Sequence, residues 1–163
     1  MLPVARDPVI AYVAIGANLG DALQTVVQAC DALTRLPGTR LTGRSRLYRT
    51  SPYEAQGPDF VNAVAQIETH LTAPDLLDAL QALENQAGRQ RPYLHAPRTL
   101  DLDLVFYGHA CMNSARLTLP HPRWRERAFV LFPLADLAPD RVSAEDLARV
   151  SGQVIDVLPG DRS

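Results

Sequence analysis

The run Pro97-Arg98-Thr99-Leu100-Asp101-Leu102-Asp103-Leu104 sets two carboxylates two residues apart in an alternating apolar stretch. On a strand, side chains alternate, so Asp101 and Asp103 share a face with Cα atoms about 6.5 Å apart, twice the strand rise. Leu100, Leu102, Leu104 and Phe106 are expected to pack the opposite face. Neighbouring carboxylates repel and are costly to desolvate unless something positive neutralises them. Mg2+ suits that role, because it takes a few carboxylate oxygens and completes its shell with water and phosphate oxygens. The plain alternative is a pair of solvent-facing acids on an alternating strand. Location weighs against it, since the pair follows a strongly basic loop.

That loop supplies Arg89, Arg91 and Arg98. Arginine is always charged, and its planar fork matches phosphate oxygens bidentately. Arginine with Mg2+ is a common means of stabilising a transferring phosphoryl group. Surface pairing with nearby acids is the alternative for each arginine taken singly. A second cluster, Pro120-His121-Pro122-Arg123-Trp124-Arg125-Glu126-Arg127-Ala128-Phe129, joins a histidine, arginines and two aromatics. Aromatic and guanidinium faces can sandwich a flat heterocycle; a helix start with Trp124 and Phe129 in the core is the competing reading. A third feature is Tyr48-Arg49-Thr50-Ser51-Pro52, followed by Phe60 and Asn62. An aromatic and an amide on one strand face could stack and read a planar ring, or could be an inward Phe and an outward Asn.

Composition narrows the chemistry. The chain has 163 residues, and all 16 of its basic Lys/Arg positions are arginine. Without lysine there is no Walker A phosphate loop, no Schiff-base chemistry and no protein-kinase site. The net charge of −2 argues against a broad nucleic-acid footprint. Charge is uneven, however: Arg89 to Arg127 holds seven arginines against Asp101, Asp103 and Glu126. A basic segment in an acidic chain suits an anionic small molecule rather than a polyanion. No apolar run has the length of a membrane span, and Met1 to Pro8 lacks an apolar signal core. Cys30 and Cys111 lie far apart without metal-ligand spacing, so both read as small apolar residues in a reducing cytoplasm.

The elements that must position these residues follow from periodicity. Val9 to Ile15 reads as a buried strand, and Gly16 to Asp21 as a turn with Asp21 as helix cap. Leu23, Val26, Val27, Cys30 and Leu33 form a helical stripe stopped by Pro37-Gly38. Leu41 to Arg49 is a second strand, Thr50 to Pro58 a loop, and Phe60 to Thr69 a third strand. Thr72 caps a helix with Leu76, Leu77, Leu80 and Leu83 buried, ended by Gly88. Leu100 to Tyr107 is the next strand, and Leu117 to Leu119 one strand of a hairpin. Pro120 to Arg127 is a loop or short turn, Ala128 to Leu137 a helix, and Ser143 to Val150 a short polar helix. From Ser151 onward loose structure is expected. The order βαββαβ predicts an α+β, ferredoxin-like core with a largely antiparallel sheet. The 128–137 helix would cover the second sheet face, giving three layers and a C-terminal extension. One domain spans 1–163, with its core at about 9–140.

Together with Ala14-Ile15-Gly16-Ala17-Asn18-Leu19-Gly20, these stretches resemble the 6-hydroxymethyl-7,8-dihydropterin pyrophosphokinase family of folate biosynthesis. The resemblance runs from about Ala11 to Pro139 and rests mainly on PRTLDLDL and PH-x-R-x-x-x-R-A-F occurring together. It implies transfer of the β,γ-pyrophosphoryl group of ATP to the pterin hydroxymethyl oxygen, releasing AMP. It implies a pair of Mg2+ ions on Asp101 and Asp103. It places Gln81, Glu84, Arg89, Arg91, Arg98, Leu104, Arg116, Thr118, His121 and Arg127 at the ATP, with Arg89 and Arg98 gripping phosphates catalytically. Phe60 and Phe129 would sandwich the pterin, and Asn62 with Thr50, Ser51 and Tyr53 would bond its edge. His95-Ala96 stands where other members carry Trp-Gly, and Pro92 where some carry lysine. None of these residues is assigned as general base. A cytoplasmic monomer acting on ATP and a reduced pterin, with no nucleic-acid or membrane partner, is expected.

Two other readings remain at this level. A ferredoxin-like RNA module places exposed aromatics on central strands, but here that position carries carboxylates. An Asp-x-Asp glycosyltransferase is the other, and 163 residues is short for one.

Overall fold

The computed structural model describes residues 7–18, 21–51, 58–88 and 100–159. β1 (Val9–Ala17) runs at the centre of the sheet. It pairs antiparallel along its whole length with β4 (Phe60–Thr69), from Val9 opposite Thr69 to Ala17 opposite Val61. On its other side lies β5 (Asp101–Tyr107), also antiparallel. β2 (Thr39–Arg44) and β3 (Tyr48–Thr50) both pair with β4, and β8 (Ile155–Val157) pairs with β3. The resulting order, β5-β1-β4-β3-β8 with β2 also on β4, is the predicted ferredoxin-like arrangement. β6 (Met112–Asn113) and β7 (Thr118–Leu119) form a separate hairpin.

The helices divide between the two faces. α1 (Ala22–Leu33) and α2 (Ala73–Gly88) cover one face through Val26, Cys30, Leu33, Leu76 and Leu80, packed on Val13, Ile15, Ala63 and Ile67. α3 (Ala128–Leu137) covers the other through Val130, Leu131 and Leu134, packed on Tyr12, Ala14 and Val64. Burying each such aliphatic side chain is worth about 1.5–3 kcal/mol, so apolar burial is the main tie of both layers to the sheet. α4 (Ala144–Arg149) follows, capped by a Ser143–Asp146 box.

Both predicted caps are present. The Asp21 carboxylate accepts from the Gln24 amide at 3.1 Å, and the Thr72 hydroxyl from Asp75 at 3.2 Å. Several expectations are corrected. β1 runs on through Gly16 and Ala17 instead of turning at Gly16. Leu23 and Val27 are exposed, because they sit roughly 60° and 100° round α1 from Val26, off its contact stripe. The second strand breaks after Arg44: the Ser45 hydroxyl accepts from the Val64 amide at 2.9 Å, and Tyr48 restarts the ladder as β3. On β5 the register slips between Leu104, opposite Val13, and Phe106, opposite Tyr12, leaving Val105 as a bulge. Phe106 is thereby turned onto the Asp face, edge-on to Trp124 with ring centroids 4.9 Å apart. In the segment after Ser151, where loose structure is expected, Ile155–Val157 form β8.

Candidate active site

Strand register assembles the site floor. Gly16 on β1 stands between Asn62 on β4 and Asp101 on β5, and Ala14 between Val64 and Asp103. One row therefore carries an amide, a bare backbone and a carboxylate; the next adds a second carboxylate. Gly16 is required by close approach: a Cβ built there meets Asn62 Oδ1 at 2.8 Å and the Phe60 ring at 3.8 Å.

Above this floor is a cavity of about 530 Å3, within the range of about 300–1,000 Å3 common for small-molecule sites. One end is lined by Thr50, Ser51, Phe60, Asn62 and Phe129. There the Asn62 amide donates to the Thr50 hydroxyl at 2.6 Å, and both residues are buried. The other end holds Asp101 and Asp103, with Arg123 and Arg127 on one side and Leu77, Gln81 and Glu84 of α2 on the other. Glu84 also serves the fold, since its carboxylate accepts from the Leu102 amide of β5 at 2.8 Å.

Positive charge faces the carboxylates loosely. Arg127 Nη1 stands 3.7 Å from Asp103 Oδ2, beyond hydrogen-bond range, and its guanidinium lies 5.4 Å from the centre of the Phe129 ring. Its Nε is buried and has no hydrogen-bond partner among the described residues. A cation that is only half satisfied and lines a cavity suits an anionic ligand. His121 is tied to β5 by its amide, which donates to the Val105 carbonyl at 2.9 Å. Its Nδ1 accepts from the Arg123 amide at 3.1 Å, which puts the proton of the neutral ring on Nε2. Burial lowers the His121 pKa from its ordinary value; Asp103 pulls it the other way, and Arg127 and Arg123 reinforce the lowering.

The expected residues divide as follows. Thr50, Ser51, Phe60, Asn62, Gln81, Glu84, Asp101, Asp103, Arg127 and Phe129 converge on the cavity. His121 feels the charges of Asp103 and Arg127 but is not part of the lining. Thr118 belongs to the β6–β7 hairpin, outside the lining. Arg116 is ion-paired with Asp78 of α2 and is also outside it. Leu104 is 3 % exposed in the core on the α1–α2 face, outside the lining. Arg89, Arg91, Arg98, Tyr53, Pro92, His95 and Ala96 lie outside the described residues. Trp124 is a core residue at the base of the Phe106 contact. Gly16, Leu77 and Arg123 line the cavity without having been singled out as site residues. Gly16 lies in the Ala14–Gly20 run, and its register with Asn62 is what puts it in the site; Leu77, expected in the buried helix stripe, is only partly buried and lines the cavity.

The model of one protein family, described as 7,8-dihydro-6-hydroxymethylpterin-pyrophosphokinase, matches residues 12–139. The chain belongs to this family. Among pyrophosphokinase relatives, the 2-amino-4-hydroxy-6-hydroxymethyldihydropteridine pyrophosphokinase of Pseudomonas aeruginosa is 47% identical over 156 residues, covering 91% of this chain and 96% of that one. The enzyme of the same name from Haemophilus influenzae is 42% identical over 135 residues, covering 82% and 84%. A solved HPPK-DHPS in complex with substrates superposes with a TM-score of 0.67 at 11% identity, over 90% of this chain and 43% of that one. Wild-type Plasmodium falciparum HPPK-DHPS gives 0.61 at 12% identity, over 81% and 38%. These structures establish the shared pyrophosphokinase fold; the chain spans less than half the length of either.

Proposed function

We propose that the chain performs its family's reaction, moving pyrophosphate from ATP to the hydroxymethyl group of the dihydropterin, with a division of labour along this one cavity. Asn62 and Thr50 read the edge of the pterin, while Phe60 and Phe129 hold its faces. Arg127 takes a phosphate of ATP, with Gln81 and Glu84 beside the nucleotide. Arg116, Thr118, His121 and the loop residues Arg89, Arg91 and Arg98 complete the ATP contacts, and Ser51 and Tyr53 those of the pterin.

Asp101 and Asp103 fit a pair of Mg2+ ions on chemical grounds: both offer only oxygen, both face the cavity, and the nearest Asp103 cation contact on Arg127 is long, at 3.7 Å. Bound there, Mg2+ would neutralise charge on the transferring phosphates. The residues themselves position and orient. Arg127 draws the phosphate chain towards the carboxylate end, and the Asn62–Thr50 pair fixes the ring so that its hydroxymethyl arm crosses Gly16 towards Asp101. A monomer working on two small molecules is the proposed state. Among those residues no helix is long and apolar enough to cross a membrane; the cytoplasm is the proposed compartment.

The observation that carries this reading is the single row Asn62–Gly16–Asp101, which joins a ring-reading end to a carboxylate end in one cavity. The test is the nucleotide product. Incubated with ATP, Mg2+ and the reduced pterin alcohol, the protein is expected to release AMP in step with pterin diphosphate. ADP in place of AMP overturns the assignment.

A further inference from the structure

Arg127 precedes α3 in an extended conformation, φ −122° and ψ 113°, with no side-chain cap of its own. The Arg127 carbonyl is held from within the helix, accepting from the Val130 and Leu131 amides at 3.1 and 3.0 Å, but the first amides of a helix lack internal partners, so the Ala128 amide and the Glu126 carbonyl before it need partners from elsewhere. Here both needs are met by one residue from the C-terminal segment, beyond the 12–139 span that matches the family. Gln153 Oε1 accepts from the Ala128 amide at 2.9 Å, and Gln153 Nε2 donates to the Glu126 carbonyl at 2.8 Å. Only this orientation of the amide satisfies both partners. The two bonds pin the peptides on either side of Arg127, and so set the direction of its Cα–Cβ bond.

Gln153 is itself anchored. Its amide donates to the Val150 carbonyl at 2.9 Å, and Val150 is buried in the α3-side core. The next residue, Val154, accepts from the Ser51 amide at 3.4 Å, and β8 then pairs with β3, where Ile155 stands opposite Thr50. The same short segment thus touches both ends of the cavity.

We propose that Gln153 is a positioning residue for the reaction: its amide brackets Arg127 and aims the guanidinium between Asp103 and Phe129. This rests on the phosphate role given to Arg127 above. The test is a double-mutant cycle on the full chain, read as kcat and KM for ATP with thermal unfolding alongside. Gln153→Ala is expected to lower kcat/KM for ATP roughly tenfold, with KM for ATP raised, which loss of folded protein alone does not produce. In an Arg127→Ala background the same change is expected to cost almost nothing more. Gln153→Glu keeps the acceptor for Ala128 but sets an acceptor against the Glu126 carbonyl, and is expected to behave like Gln153→Ala. An unchanged kcat/KM in both Gln153 variants, or a loss that multiplies with that of Arg127→Ala, overturns the positioning role alone. Full activity in Arg127→Ala overturns the phosphate role and the positioning role together.

Discussion

Asp101 and Asp103 stand on the cavity floor with side chains partly open to solvent, so they contribute little to packing. Replacing either by Ala is expected to change stability by no more than about 0.5 kcal/mol, as for other surface positions, while abolishing turnover. Urea unfolding and an Mg2+ titration of the AMP yield check both halves; full activity with unaltered Mg2+ dependence removes the metal role. Gly16 makes the opposite kind of contribution, through the atom it lacks. A Cβ there stands 2.8 Å from Asn62 Oδ1, so the amide must shift and release Thr50. Misplacing one buried hydrogen-bonding group costs about 1–2 kcal/mol. Gly16→Ala is therefore expected to raise KM for the pterin roughly tenfold while leaving KM for ATP near its original value. Equal losses for both substrates would count against a pterin-side role. That Asp101 and Asp103 share a face was legible from type and spacing, because an alternating strand fixes which side chains point the same way. So was the packing of Leu104 on the opposite face, whereas the close approach that Gly16 permits was not, since it depends on a partner strand distant in sequence.

At the scale of elements, caps and strand faces were legible because they depend on neighbours three or two residues away. Apart from Leu23 and Val27, which lie off the α1 contact stripe, the departures involve partners distant in sequence. Val105 bulges to satisfy pairing with β1, and this turns Phe106 over. Ser45 interrupts the second strand by giving its hydroxyl to Val64. β8 exists because β3 offers it an edge. β3 also holds α3, through a polar link that makes a pH prediction. Tyr48 donates to Asp136 Oδ2 at 2.8 Å, and Arg46 pairs with the same carboxylate at 3.0 Å. Burial and the Asp136 carboxylate push the Tyr48 phenol up to about 12. A pKa raised on folding favours the neutral, folded form. That stability is complete below the ordinary tyrosine value of about 10 and is lost as pH rises through the folded value. Tyr48→Phe is expected to unfold at lower temperature than the parent at pH 8, with the gap shrinking between pH about 10 and about 12. Melting curves across that range check it; a gap that stays constant to pH 12 removes the linkage.

At the scale of the whole molecule, the described residues form two apolar cores, one on each face of the six-stranded sheet. Leu80 is fully buried on the α2 side, while Trp124, the only tryptophan, is buried on the α3 side. The two lie in different cores, so any effect of one on the other must pass through the sheet. β1 is the element that forces this coupling: Val13 and Ile15 face the first core, Tyr12 and Ala14 the second. Neither face can lose its helices without leaving a strand of the other half exposed. A single cooperative unit is the expected outcome. Leu80→Ala is expected to destabilise by about 2–5 kcal/mol, the cost of a truncated, fully buried leucine. The informative measurement is Trp124 fluorescence, which reports only the far core, recorded with far-ultraviolet circular dichroism on the same denaturant series. Both probes are expected to move to the same lower midpoint, with slopes equal to those of the parent. A Trp124 transition left at its original midpoint while the dichroism shifts would show the α3 layer surviving without the α1–α2 layer. The chain would then be two stability units on one sheet, and the cavity between α2 and α3 a boundary between them.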